Sequence, residues 1–265
     1  MLVEVEPGIS VDVCDVGSGP PVVLLAGFGF DHEVWDRQVR ELSDDHRVVA
    51  VSLRGTGAST KPKAGYGMPR LAQDVVAVLE RLDLRDVALV GWSFGGLVAF
   101  RIAAVAPQRV ARLALVGSNG VRASATDGFP FGAPEDALCA ALVHGESEDR
   151  LRARRRAVAG GFYAPPDPDV LDWLMRIQLR MPSWSAVACF DTYARAEQRE
   201  LMSKVRMPVV QMVGEHDRVA PVTGARWLNE RLSDATLVEL PDCGHTPMIE
   251  APEPFGARLS AFAAG

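Results

Sequence analysis

Cysteine, long apolar runs and positive charge are all scarce in this chain, and each scarcity removes a class of answer. The 265 residues hold four cysteines, Cys14, Cys139, Cys189 and Cys243, scattered with no C-x-x-C spacing. That pattern argues against a disulfide framework or a zinc site and suits a reducing compartment. No metal and no cofactor is expected. No apolar stretch approaches the roughly 18 residues that a bilayer span requires. The first residues carry Glu4, Glu6, Asp12 and Asp15 where a secretory signal needs a basic segment and then an apolar one. A cytoplasmic location is therefore the expectation. Lysine and arginine number 28 against 34 acidic residues, a formal net charge of -6. With no dominant basic stripe, neither nucleic acid nor a membrane surface is an expected partner, whereas a small molecule is.

What is present reads as one large, ordered domain. Hydrophobic residues make up 48% of the chain, and its length is enough to bury a core without covalent staples. Residues 3–16 alternate apolar and polar around Pro7-Gly8, which predicts an antiparallel hairpin at a sheet edge. Five uninterrupted apolar runs follow, at 22–26, 48–51, 87–90, 113–116 and 209–213. Runs without polar alternation are buried on both faces, so these strands are predicted to be parallel and covered by helices. Val34, Trp35, Gln38, Val39 and Leu42 form one helical stripe, and Leu71, Val75, Val78, Leu79 and Leu82 another. The fold class is α/β, with a mostly parallel central sheet flanked by helices.

The segment Gly91-Trp92-Ser93-Phe94-Gly95 joins the run Val87 to Val90 to a helical pattern that ends before Pro107. Strand, sharp turn and helix with a serine at the apex is the pattern of a nucleophile elbow. The flanking glycines leave room for strand and helix to approach each other. A serine hydroxyl is a poor nucleophile unless a base takes its proton and an acid orients that base. Asp217 follows the strand Pro208 to Val213, and His245 stands in Gly-His-Thr-Pro after the strand Thr236 to Leu240. Glu215 and Asp191 compete for the acid role. His32, His46, His144 and His216 compete for the base, and each is more simply read as a surface residue.

Together with the elbow and these two loops, Leu24-Leu25-Ala26-Gly27-Phe28-Gly29-Phe30 and Leu53-Arg54-Gly55-Thr56-Gly57-Ala58-Ser59 make the chain resemble the α/β-hydrolase superfamily over nearly its whole length. The likeness is to its serine carboxylesterase and cofactor-free haloperoxidase branch, whose members carry a helical cap. The resemblance implies Ser93, Asp217 and His245 as catalytic residues. It implies the N–H groups of Phe28 and Phe94 as the oxyanion hole. Ala26 and Ser52 depart from the His and Asp of many relatives, at positions that supply no chemistry.

The resemblance divides the chain into a hydrolase core at 1–120 and 207–265 and a helical cap at 121–206. Candidate cap helices are Glu135 to Val143, Asp149 to Ala159, Asp169 to Arg180 and Ser183 to Arg195, with Gly145 among the breakers. Phe30, Trp92, Phe162, Met181 and Trp184 are candidate pocket residues, with Trp173 and Phe190 as further apolar candidates. Arg152, Arg155 and Arg156 lie in a basic run that offers a dock for an acidic carrier protein, the competing reading being a solvated helix face. The implied activity is hydrolysis of a carboxylic ester through an acyl-enzyme. A lactonase, thioesterase, acyltransferase or perhydrolase would use the same triad, and a non-hydrolytic binder could keep the fold.

Overall fold

The five apolar runs become the middle of a single eight-stranded sheet. A computed structural model describes all 265 residues. The chain opens with β1 (Leu2–Glu6), β2 (Ile9–Val16) and β3 (Pro21–Leu25), followed by a short 3-10 turn and α1 (Asp36–Leu42). Next come β4 (Arg47–Val51), α2 (Met68–Arg81), β5 (Val87–Trp92), α3 (Phe94–Val105) and β6 (Val110–Val116). Four helices are then inserted: α4 (Glu135–Glu148), α5 (Arg150–Gly160), α6 (Pro168–Gln178) and α7 (Ser183–Arg195). The core resumes with β7 (Val209–Gly214), α8 (Val222–Asn229), β8 (Ala235–Leu240), α9 (Pro247–Glu250) and α10 (Pro252–Ala264).

The strand order is β1-β2-β4-β3-β5-β6-β7-β8. The β1-β2 and β2-β4 pairs are antiparallel, and all the others are parallel. Alternate residues of one strand serve opposite faces. Val23 and Leu25 enter the core packed by α2 and α3, while Val22 and Leu24 enter the core that holds Trp35 and α10 residues Phe255 and Leu259. Parallel strands joined by right-handed crossovers bring their C-terminal ends to one rim. The loops that carry Phe28, Ser93 and Asp217 leave the sheet there.

Helix boundaries in the insertion follow capping. Asp149 caps α5 by accepting from the Arg152 N–H at 3.0 Å, and Asp167 caps α6, which begins at Pro168. Gly145 does not break the chain: it lies inside α4. A Cβ at Gly145 would stand 2.9 Å from the Ala153 Cβ, so this glycine lets α4 and α5 pack closely. No helix is long and apolar enough to cross a membrane.

Candidate active site

Ser93 stands at the turn between β5 and α3 with φ 53° and ψ -117°. A non-glycine residue held there is strained, and the surrounding structure has to enforce it. Its N–H donates to the Val116 carbonyl at 2.9 Å, and the Gly96 N–H donates to the Ser93 carbonyl at 2.9 Å. A Cβ at Gly95 would lie 2.5 Å from the Ala26 carbonyl oxygen, so only glycine lets α3 start this close to the end of β3.

His245 is presented by the loop between β8 and α9. Its main chain is fixed on both sides: its N–H donates to the Gly161 carbonyl at 2.7 Å, and its carbonyl accepts from Trp92 Nε1 at 2.7 Å. Asp217 follows β7. Its Oδ1 accepts from the N–H groups of Val219 and Ala220, both at 2.8 Å, which leaves Oδ2 facing His245 Nδ1 at 2.8 Å. His245 Nε2 lies 2.8 Å from Ser93 Oγ. Asp217 accepts only, so Nδ1 carries the ring proton and Nε2 is left to accept from the serine hydroxyl. The Asp217 side chain is fully buried and His245 nearly so. This shields the pair from water and strengthens its electrostatics.

None of the competing acids and histidines is hydrogen-bonded to Ser93 or His245. Asp191 pairs with Arg195 on the surface of α7, Glu215 is exposed, and His32 meets Asp12. His216 is exposed and stacks on Tyr163 at a centroid distance of 4.1 Å. The loop after Val116 begins Gly117-Ser118-Asn119-Gly120 without a carboxylate, and its one acid, Asp127, is exposed.

The loop after β3 runs alongside Ser93. A Cβ on Gly27 would lie 3.2 Å from the Ser93 Cβ, which puts the next residue, Phe28, beside Ser93. Phe94 is the first residue of α3, where N–H groups have no intrahelical acceptor. Neither the Phe28 nor the Phe94 N–H meets an acceptor elsewhere in the protein. Gln178, at the end of α6, donates from Nε2 to the Phe28 carbonyl at 2.7 Å and so holds the Phe28–Gly29 peptide, next to the one that carries the Phe28 N–H.

Above the serine is a cavity of about 560 Å³ with a mainly apolar lining. Phe28, Phe30, Trp92, Leu142, Val158 and Phe190 supply its walls, and Ser93 and His245 its floor. Phe28 stacks on Phe190 at 4.7 Å and meets Phe94 edge-on at 6.2 Å. Glu146 and Arg154 face the cavity as a buried, hydrogen-bonded ion pair with a 2.6 Å contact. His144 and Arg156, both exposed, border its outer part.

Of the sequence-level pocket residues, Phe30 and Trp92 line this cavity, whereas Phe162, Met181 and Trp184 lie outside it. Met181 and Phe162 are buried in the two hydrophobic cores, and Trp184 is 54% exposed with Nε1 on the Lys61 carbonyl. Apolar type alone does not separate a residue that holds the insertion together from one that faces a ligand. Tyr193 and Gln178 also line the cavity and were not anticipated. Tyr193 stands three residues after Phe190, and this spacing puts both on one face of α7. That face was legible once Phe190 was singled out. No group of three or more His, Cys, Asp or Glu side chains is placed to hold a metal ion.

The sequence profile of the alpha/beta hydrolase fold family matches residues 20–252. A pimeloyl-acyl-carrier-protein methyl ester esterase of Nitrosomonas europaea is 32% identical over 257 residues, covering 96% of this chain and 99% of its own. Among solved structures, an esterase from Exiguobacterium antarcticum superposes with a TM-score of 0.96 at 24% identity, covering 100% of this chain and 99% of the other. A bromoperoxidase from Bacillus anthracis does so with a TM-score of 0.92 at 22% identity and the same coverage. At these identities the structural likeness is one of fold. The chain belongs to the α/β-hydrolase superfamily and stands among its esterase-type members.

Proposed function

We propose that this protein hydrolyses carboxylic esters of small or medium apolar substrates through an acyl-enzyme on Ser93. The observation that carries the reading is the continuous relay of Ser93 Oγ, His245 Nε2, His245 Nδ1 and Asp217 Oδ2, with 2.8 Å at each hydrogen bond. Ser93 Oγ attacks the carbonyl carbon while His245 Nε2 takes its proton, and Asp217 stabilises the imidazolium that forms. The oxyanion is met by the N–H groups of Phe28 and Phe94, such a donor being worth about 100- to 1,000-fold in rate. The imidazolium then protonates the departing alcohol. Water, deprotonated by the same histidine, attacks the acyl-enzyme and frees Ser93.

Substrate class follows from the cavity. Its aromatic and aliphatic walls favour an apolar chain, and its volume falls in the usual range for small-molecule sites. The name of the Nitrosomonas europaea relative makes a carrier-bound acyl ester one candidate. In the basic run, Arg152 pairs with Asp149 and Arg155 with Asp172. Arg156 has no ion-pair partner and borders the cavity, so it is the one that would meet an anionic part of such a substrate.

A series of p-nitrophenyl esters of increasing acyl length, assayed with wild type and Ser93→Ala, tests the reading. Hydrolysis that favours medium apolar chains and vanishes in the variant is expected. Equal turnover by both proteins would overturn it.

A further inference from the structure

Glu250 lies outside the relay, yet its carboxylate collects donors from two sides of the active site. Oε1 accepts from the Thr246 N–H at 3.0 Å and from the Thr246 hydroxyl at 2.8 Å. Oε2 accepts from the Gly244 N–H at 3.1 Å and from the Tyr163 N–H at 2.7 Å. Gly244 and Thr246 flank His245 directly. Tyr163 belongs to the helical insertion, in the turn after α5.

The same two segments meet a second time through the His245 N–H, which donates to the Gly161 carbonyl at 2.7 Å. They are also in close contact: a Cβ on Gly244 would stand 2.7 Å from the Tyr163 nitrogen. The Tyr163 ring stacks on His216, the neighbour of Asp217. Three residues of the insertion, 161–163, thus touch the loops of both the base and the acid.

We propose that Glu250 is a positioning residue for His245, tying the orientation of the imidazole to the seating of the insertion over the cavity. This rests on the triad reading above. A carboxylate suits the place because both oxygens accept and neither donates, and each oxygen faces two donors. Glutamine would turn its NH₂ either toward the N–H groups of Gly244 and Tyr163, breaking both bonds, or toward Thr246, whose hydroxyl can accept but whose N–H is then set donor against donor. Glu250 neither lines the cavity nor touches Ser93. Its loss therefore acts on the geometry of proton transfer and leaves substrate binding in place.

The experiment compares Glu250→Gln, Glu250→Asp and Thr246→Val, with kcat and KM measured on one p-nitrophenyl ester and folding checked by near-ultraviolet circular dichroism. Glu250→Gln is expected to lower kcat about 10- to 100-fold with KM within about twofold. Aspartate recovers part of the loss, and Thr246→Val, which deletes one bond of the four, costs less. A folded Glu250→Gln with wild-type kcat overturns the proposal. If that variant does not fold, wild-type kcat in both of the others overturns it. The hydrogen-bonded Nδ1 proton of His245, followed by NMR, reads the same positioning without substrate. It is expected in wild type and is expected to broaden or disappear in Glu250→Gln, and an unchanged signal contradicts the proposal. A wild type that hydrolyses no ester would sink the ester reading, while this signal still tests the clamp.

Discussion

Gln178 Nε2 and the Phe28 carbonyl, 150 residues apart in sequence, meet at 2.7 Å and join the end of α6 to the loop beside Ser93. The Phe28 N–H lies in the same short segment, so a side chain of the insertion orients a donor proposed to stabilise the oxyanion. Gln178→Leu keeps the approximate volume and removes the hydrogen bond. It is expected to lower kcat about tenfold with a small change in KM, because a misplaced oxyanion donor weakens the transition state more than the ground state. Steady-state kinetics on an activated ester checks this. A large rise in KM at constant kcat would place Gln178 in substrate binding instead.

Asp217→Asn should keep the fold and lose nearly all activity. The asparagine oxygen can still accept from the N–H groups of Val219 and Ala220, but its NH₂ would face His245 Nδ1 and favour the wrong tautomer. In a Ser-His-Asp triad that change costs about 10,000-fold in kcat. Retained activity would point to another acid, although the one carboxylate between β6 and α4, Asp127, is exposed.

Much of this site was legible in the sequence, for local reasons. The elbow, the Asp217 loop and the Phe28 segment are each short, and each sits at the end of a strand whose apolar run marks it, whereas the His245 loop is marked by its Gly-His-Thr-Pro setting. The sheet followed from the same runs. What the sequence left open depends on packing between distant segments. Gln178 and Glu250 look like ordinary polar helix residues until α6 meets the Phe28 loop and α9 meets residues 161–163. Met181 and Phe190 are both buried apolar residues of the insertion, and only the orientation of the chain brings Phe190 and not Met181 to the cavity wall. Gly145 carries no mark that separates a breaker from a packing contact.

Stability should respond strongly to Arg54, which is 2% exposed and forms a two-pronged ion pair with the buried Asp74. Arg54→Met leaves Asp74 with only Arg70 and should cost about 3 kcal/mol in urea unfolding. The double variant Arg54→Met/Asp74→Leu should regain much of that, since it removes both buried charges. Arg54 also donates to Glu6 at 2.8 Å, and that hydrogen bond holds the Glu6 carboxyl below its ordinary 4.5. The stabilisation from Glu6 is therefore complete above that value and is lost as pH falls through the lower folded-state value. The variant should show a shallower loss of stability on acidification, and a slope equal to wild type would contradict this.

The thiols should separate by burial. Burial pushes Cys189 and Cys243 up to about 12, so neither forms a reactive thiolate near pH 8. The half-buried Cys14 is raised in the same direction by desolvation. Iodoacetamide treatment of the native protein, read by peptide mass spectrometry, should modify Cys139 first and spare Cys189 and Cys243. All four should react after denaturation. Rapid native alkylation of Cys243 would show that the loop before His245 opens.

The central claim is that Ser93, activated through His245, is the nucleophile. A serine-directed fluorophosphonate followed by peptide mass spectrometry tests it most directly. The expected result is one adduct, on the peptide containing Ser93, absent in Ser93→Ala and strongly slowed in His245→Ala. No adduct on the wild type, or an adduct that persists in Ser93→Ala, would contradict it.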